Sequence, residues 1–268
     1  MRIAILGGAG NMGKWFCRFF LKQGYEVTVS GRTKQKLFDL AKEIPVKVAM
    51  TNIEAVKDAD IIMISILLQK FEDVVKEIAP HIKDNQIVWD ITSVKEFPVN
   101  TMHKHIKKGI VLGMHPVFGP AAEDTNQNFV LTPTNEKEEE YAGELKEWLE
   151  ERGFKVSLMS TRRHDKLMSV VLGLSHFIGL TVGDTWSDMD FKELEKVSGT
   201  SFKTLLSLVE NVVNTDPEFY SVLQMSLPNV ENVEGLFKEK TEKWLDIIKK
   251  KDKKRFIDEM KTLKSKVG

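Results

Sequence analysis

The chain has 268 residues, and 39 Lys and Arg balance 39 Asp and Glu to a formal net charge of zero. That length suits two domains better than one, and 42% hydrophobic residues are enough for a sizeable buried core. Charge balance excludes a global field that would draw in nucleic acid or an anionic membrane, so an anionic ligand must be held by local groups; a single cysteine, Cys17, excludes an internal disulfide and suits a reducing cytosol.

Short apolar runs alternate with helical patterns through the first half. Ile3–Leu6, Glu26–Ser30, Ile61–Ser65, Ile87–Asp90 and Ile110–Met114 read as strands, β-branched and apolar on both faces, as in a buried parallel sheet. Between them, Met12–Lys22, Lys34–Lys42, Phe71–His81 and Pro98–Lys107 read as helices. Cys17 falls in the first of these beside Trp15 and Phe16, as a small core hydrophobe. The alternation continues through a strand at Phe129–Leu131, an acidic helix at Glu136–Glu151 and a strand at Lys155–Met159. From His164 onward only helical periodicity remains: Lys166–Asp184, Lys192–Asn214, Pro217–Leu227, Val230–Lys249 and Lys253–Lys264. The fold expected is α/β, a Rossmann-type doubly wound, mostly parallel sheet over residues 1–161, followed by an all-α helical domain over 162–268. No apolar run is read as long enough to span a membrane. Met1 leads straight into a strand rather than a secretory leader. The basic tract Lys249–Arg255 lacks interleaved aromatics and reads as an exposed helix junction. The expectation is a cytoplasmic protein without nucleic-acid, membrane or metal ligands.

The first strand runs into Gly8-Ala9-Gly10-Asn11-Met12-Gly13 and a helix. In that context the first glycine makes the tight turn, the second admits a pyrophosphate and the third lets helix pack on strand; the phosphates sit on the helix N-terminus. Gly8, Gly10, Asn11, Met12 and Gly13 are thus cofactor candidates. The second strand ends in Ser30-Gly31-Arg32-Thr33-Lys34, with no carboxylate for a ribose 2′-hydroxyl. Ser30, Arg32 and Thr33 favour NADP, with NAD as the alternative. Ser65 and Ile66, at the end of the strand Ile61–Ser65, complete the expected cofactor set.

Two polar clusters follow later strands, where ligands of such sheets bind. One is Asp90-Ile91-Thr92-Ser93-Val94-Lys95; the other is Gly113-Met114-His115-Pro116-Val117-Phe118-Gly119-Pro120. Pro116 biases His115 to an extended backbone. Ser93 either serves chemistry or caps the next helix through Ser-Val-Lys-Glu, and Lys95 pairs either with a substrate or with a nearby acid. His164-Asp165 reads more as a helix cap than as a reactive pair.

These two segments, with the glycine fingerprint, His164-Asp165, His176 and Thr215-Asp216-Pro217-Glu218-Phe219-Tyr220, resemble the prephenate dehydrogenase family of tyrosine biosynthesis, over nearly the whole chain. The resemblance implies hydride removal from ring C4 of prephenate to the nicotinamide, loss of carbon dioxide and aromatisation to 4-hydroxyphenylpyruvate. It implies that His115 is the base on the C4 hydroxyl, that Ser93 bonds this histidine and the substrate, and that His176 lines the substrate pocket. Turnover is then expected to fall in acid near the reference histidine pKa of about 6.5. Where many members place a substrate-clamping arginine this chain offers Lys203, without the bidentate fork, and Gln69 stands where some have a histidine. The resemblance also implies a homodimer through the helical domain, with each cleft between the two domains. Arogenate, which differs at the side chain and not at C4, is the rival substrate. A non-catalytic dinucleotide-sensing regulator is a second alternative.

Overall fold

A computed structural model describes residues 1–123 and 125–267. The chain runs through β1 (Arg2–Leu6), α1 (Asn11–Lys22), β2 (Glu26–Ser30), α2 (Lys34–Glu43), β3 (Lys47–Val48), α3 (Asn52–Lys57), β4 (Ile61–Ile64) and α4 (Phe71–Ile78). It continues with β5 (Ile87–Asp90), α5 (Glu96–His105), β6 (Ile110–Pro116), β7 (Asn128–Thr132), α6 (Glu136–Glu150) and β8 (Lys155–Leu158). The strands form one eight-stranded sheet in the order β3-β2-β1-β4-β5-β6-β7-β8. Every neighbouring pair is parallel except β6 and β7. The order on either side of β1 is that of a doubly wound dinucleotide fold.

The strands are apolar on both faces because both faces are covered. Ile3 and Ile5 of β1, Ile61 and Met63 of β4, and Leu112 and Met114 of β6 point into one core with α1, α2 and α6. Their alternates Ala4, Leu6, Ile62, Ile64 and Val111 point into a second core with α3, α4 and α5. The first core is aromatic: Trp15 stacks on Phe19 with centroids 5.2 Å apart, and Phe129 meets Phe154 edge-on at 5.0 Å.

No element was expected between Glu43 and Asp60, yet β3 and α3 lie there. β3 has two residues and pairs only with β2; α3 has six, capped by Thr51, whose hydroxyl accepts from Glu54 N. Neither is long enough to show a period. The expected helix Lys192–Asn214 is two helices, α9 (Phe191–Lys196) and α10 (Thr200–Val213), because Gly199 sits in extended backbone as the N-cap of the second.

The chain divides into two compact units, residues 1–168 with 221–226, and residues 169–220 with 227–268. The helix expected to open the second domain thus begins in the first unit, as α7 (Thr161–Met168), where His164 and Asp165 are buried. Helical structure continues through a π-helical segment (Ser169–Leu174) into α8 (Ser175–Ser187). Within the continuous helical stretch Thr161–Ser187 an 18-residue window reaches a mean hydropathy of 1.5, long and apolar enough, by length and composition, to cross a membrane. That corrects the expectation of no such run: the polar residues within 167–184 interrupt the apolar pattern without bringing its average down. The remaining helices are α11 (Pro217–Ser226), α12 (Val230–Lys249) and α13 (Lys253–Val267). Within the second unit α10 lies against α8 because Gly179 carries no side chain; a Cβ there would stand 2.7 Å from Val212. Val170, Val171, Leu180, Val213 and Leu236 are exposed.

Phe16 is 1% exposed at the centre of the aromatic core. Phe16→Ala is expected to lower the unfolding free energy by about 3–5 kcal/mol, read by denaturant titration with an unchanged slope.

Candidate active site

The turn after β1 is built by close approach of backbone. Gly7 carries the positive φ of +91°, and a Cβ there would lie 2.0 Å from the Ser65 carbonyl oxygen and 3.1 Å from Ile66. Gly8, expected to make the tight turn, instead admits Val29 of β2, 2.4 Å from where its Cβ would be. Gly13 lets the first turn of α1 sit on the loop, with Gly7 O 2.4 Å from its absent Cβ. Gly10 is the N-cap and donates no side-chain bond, and no acidic residue stands in the first turn. The free N–H groups around Asn11 and Met12 therefore open an uncapped, acid-free helix end, which suits a pyrophosphate. Ser65 and Ile66 flank this loop beside Gly7.

Ser30 does not fit its expected part. It is fully buried, its hydroxyl donates to Asn52 Oδ1 at 2.7 Å, and its carbonyl accepts from Gly7 N and Gly8 N. It ties β2 to the glycine loop and to α3, and presents no hydroxyl to a 2′-phosphate. Arg32 and Thr33, immediately beyond, are exposed.

At the same, carboxyl end of the parallel strands the side-chain alternation of β6 puts Val111, Gly113 and His115 on the α5 face. Gly113 is required there: a Cβ would meet Thr132 Oγ1 at 2.3 Å, Val99 at 2.6 Å and the Lys95 stem at 3.1 Å. The Lys95 side chain runs through that space, fully buried. Its ammonium pairs with the Asp90 carboxylate and donates to Met114 O at 3.0 Å. Asp90 in turn accepts from Thr92 N at 2.8 Å and Thr92 Oγ1 at 2.6 Å. Burial works against both charges, raising Asp90 and lowering Lys95, and their mutual attraction opposes it. Lys95 was expected to reach substrate or an acid; it holds the acid, and burial removes it from any substrate.

His115 is buried, and its Nδ1 lies 2.8 Å from His164 Nε2. His164 Nδ1 lies 2.6 Å from Asp165 Oδ1. The Asp165 carboxylate also accepts from Lys95 N at 2.7 Å and Glu96 N at 2.8 Å, so it caps α5 from a distance. The Ser-Val-Lys-Glu capping box, one of the two alternatives at Ser93, does not form, and the His115 partner expected to be Ser93 is His164. Ser93 is half-buried and makes no hydrogen bond among the described residues. Of His164-Asp165, read as a cap of its own helix, Asp165 caps α5 and His164 bonds His115. Only folding brings these residues together, and the adjacency of His164 to Asp165 was the one local hint.

Burial lowers His115 well below the usual histidine range, with His164 and Lys95 adding to the depression. His164 is lowered too, by burial, against the opposing hydrogen bond from Asp165. Both rings are neutral near pH 7. Because the unfolded chain takes up protons near pH 6.5 and these buried rings do not, stability falls as the pH drops below that value.

His176 lies in the second unit, half-buried in α8 and edge-on to Tyr220 with centroids 4.4 Å apart. Its Nδ1 is buried without a hydrogen-bond partner among the described residues, and burial brings its pKa down to about 4. Lys203 is exposed in the first turn of α10. Gln69 is exposed in a short turn of 3₁₀ helix, Leu68–Lys70.

Sheet order, glycine loop and polar strand ends together define a Rossmann-type dinucleotide-binding protein with an all-helical second unit. Residues 16–158 match the family model of the prephenate dehydrogenase nucleotide-binding domain, and residues 160–262 that of the prephenate dehydrogenase dimerization domain. The chain belongs to the prephenate dehydrogenase family. It is 33% identical over 266 residues to a probable arogenate/prephenate dehydrogenase of Methanocaldococcus jannaschii, covering 97% of this chain and 60% of that protein. It is 25% identical over 264 residues to the T-protein of Haemophilus influenzae, covering 96% and 64%. The chain thus spans less than two thirds of the length of these relatives. In fold it is similar to prephenate dehydrogenase from Aquifex aeolicus in complex with hydroxyphenyl propionate and NAD+, at a TM-score of 0.82 and 22% identity over 99% of this chain and 96% of that one. It is also similar to Synechocystis arogenate dehydrogenase, at a TM-score of 0.72 and 18% identity over the full length of both.

Lys95→Met leaves Asp90 charged and unpaired in the interior. The expected loss is about 3–5 kcal/mol of stability, measured by equilibrium unfolding at pH 7, with a smaller loss when Asp90→Asn is added.

Proposed function

We propose that this chain catalyses the oxidative decarboxylation of prephenate to 4-hydroxyphenylpyruvate with NADP, arogenate and NAD being the rival substrate and cofactor. The observation that carries the reading is His115: a buried neutral imidazole at the carboxyl end of β6, bonded through Nδ1 to His164, its Nε2 bound to no protein group among the described residues. When bound, the nicotinamide accepts the hydride of ring C4. His115 Nε2 takes the C4 hydroxyl proton as positive charge builds on that carbon. The ring carboxylate leaves as carbon dioxide, its bond electrons complete the aromatic ring, and the proton held on His115 returns to the phenolate oxygen, giving 4-hydroxyphenylpyruvate. A base so placed contributes typically 10²–10⁴-fold.

The buried Nδ1 of half-buried His176, without a hydrogen-bond partner among the described residues, supports a substrate contact, with Lys203 and Gln69 as further candidates for the substrate's polar groups. Exposed apolar side chains on α8 and α10, and the dimerization-domain match, support a homodimer. The buried, inert thiol of Cys17, pushed up to about 12, suits the cytoplasm.

Reduction of NADP and of NAD, followed at 340 nm on the order of micromolar enzyme with prephenate and with arogenate side by side, tests the reading; a non-catalytic dinucleotide sensor reduces neither. Arg32→Ala is expected to raise KM for NADP far more than for NAD, and equal effects would remove the NADP preference. His115→Asn is expected to lower kcat by about 10²–10⁴-fold with cofactor affinity retained. The depressed His115 also changes the expected pH profile. With Lys95, Asp90, His164 and Asp165 as the charged and titratable neighbours, the neutral base persists below the ordinary histidine value. Turnover should stay level as the pH is lowered through about 6.5 and fall only in stronger acid; a midpoint at 6.5 would contradict the burial argument.

A further inference from the structure

We infer that His164 and Asp165 are positioning residues that hold His115 in its Nδ1–H tautomer, so that Nε2 carries the lone pair that receives the substrate proton. The inference rests on the reaction proposed above and adds the source of the base's orientation.

The direction of each hydrogen bond follows from what each atom can do. A carboxylate only accepts, so at 2.6 Å the proton between His164 Nδ1 and Asp165 Oδ1 belongs to His164. A neutral His164 then has a lone pair at Nε2. That lone pair, 2.8 Å from His115 Nδ1, requires His115 to donate. Neutral His115 has one ring proton, now committed to Nδ1, and Nε2 is left as the acceptor. The opposite assignment would place two lone pairs face to face.

The rest of the site fixes Asp165 as the origin of this order. Its Oδ1 and Oδ2 accept from Lys95 N and Glu96 N, so the carboxylate cannot rotate away without uncapping α5. The same Lys95 carries the ammonium that holds Asp90 and the carbonyl of Met114, the residue before His115. One carboxylate therefore positions the ring of His164, and through Lys95 the strand end that bears His115. When Nε2 takes the proton, the charge on His115 is met by His164 through an existing hydrogen bond, with no group having to reorient.

The decisive measurement is nitrogen NMR of the full chain labelled in its histidines, with His115 and His164 assigned by difference from His115→Asn and His164→Gln. The expected signature is a protonated Nδ1 and an unprotonated Nε2 on both rings near pH 7. A protonated Nε2 on His115 overturns the inference, and this readout needs neither substrate nor turnover. Kinetics provides the second arm. His164→Gln keeps a side-chain oxygen that can accept from His115 and is expected to retain most of kcat. His164→Leu removes the acceptor and is expected to lose about 10–100-fold in kcat with KM little changed, by analogy with the partners that orient metal-bound imidazoles. Wild-type turnover in His164→Leu overturns the inference. If that variant fails to fold, the NMR signature of the wild-type chain decides alone. If the wild-type chain oxidises neither prephenate nor arogenate, the proposed function fails and the tautomer is still read directly.

Discussion

Burying the ammonium of Lys95 costs several kcal/mol unless its surroundings supply a counter-charge and acceptors, and much of the carboxyl end of the sheet is arranged around meeting that cost. Asp90 at the end of β5 supplies the charge, and Met114 near the end of β6 supplies a carbonyl. Thr92 satisfies the other carboxylate oxygen of Asp90. The lysine stem fits only because Gly113 leaves the face of β6 bare. Two neighbouring strands are thereby joined side chain to backbone just where the polar clusters begin. His115 follows Met114 directly, so its ring inherits a backbone held by a buried ion pair.

Asp165 closes this arrangement from α7. Its carboxylate does the work of a helix N-cap for α5 while fixing the ring of His164. A cap supplied from a distant helix couples the start of α5 to the orientation of His115, a coupling a local serine cap would not create. Desolvation of the same region keeps both imidazoles neutral, which is the state a base must have before it accepts a proton. The glycine loop at β1 shows a similar economy. Ser30 accepts from Gly7 through its carbonyl and donates to Asn52 through its hydroxyl, so that β2, the loop and α3 are tied together beneath the N–H groups that open α1.

The second unit is organised differently. Its helices pack through small residues, with Gly179 and Gly183 of α8 facing Val212 and Val209 of α10, and leave large apolar side chains exposed. Such a surface marks an interaction site rather than a finished exterior, in keeping with the dimerization-domain family that this part of the chain matches.

Much was legible in the sequence alone because it is encoded locally. Periodicity marked the long strands and helices, and the glycine spacing marked the dinucleotide loop, since both depend on residues a few positions apart. The composition of Asp90–Lys95 and the His115-Pro116 segment marked where chemistry belongs. Short elements escaped, as β3 and α3 did, because a few residues cannot display a period. Partnerships also escaped. Ser93 has the spacing of a cap, and Ser30 and Lys95 have the chemistry of ligand contacts, but burial assigns Ser30 to Asn52 and Lys95 to Asp90. His115 meets His164, and α5 is capped by Asp165, across 49 and 70 residues of chain. The sequence determined which chemical groups this protein possesses and roughly which strand ends carry them. The tertiary structure alone decided which groups are desolvated and which face one another, because hydrogen bonds and pKa shifts depend on distance and solvent exclusion and not on position along the chain.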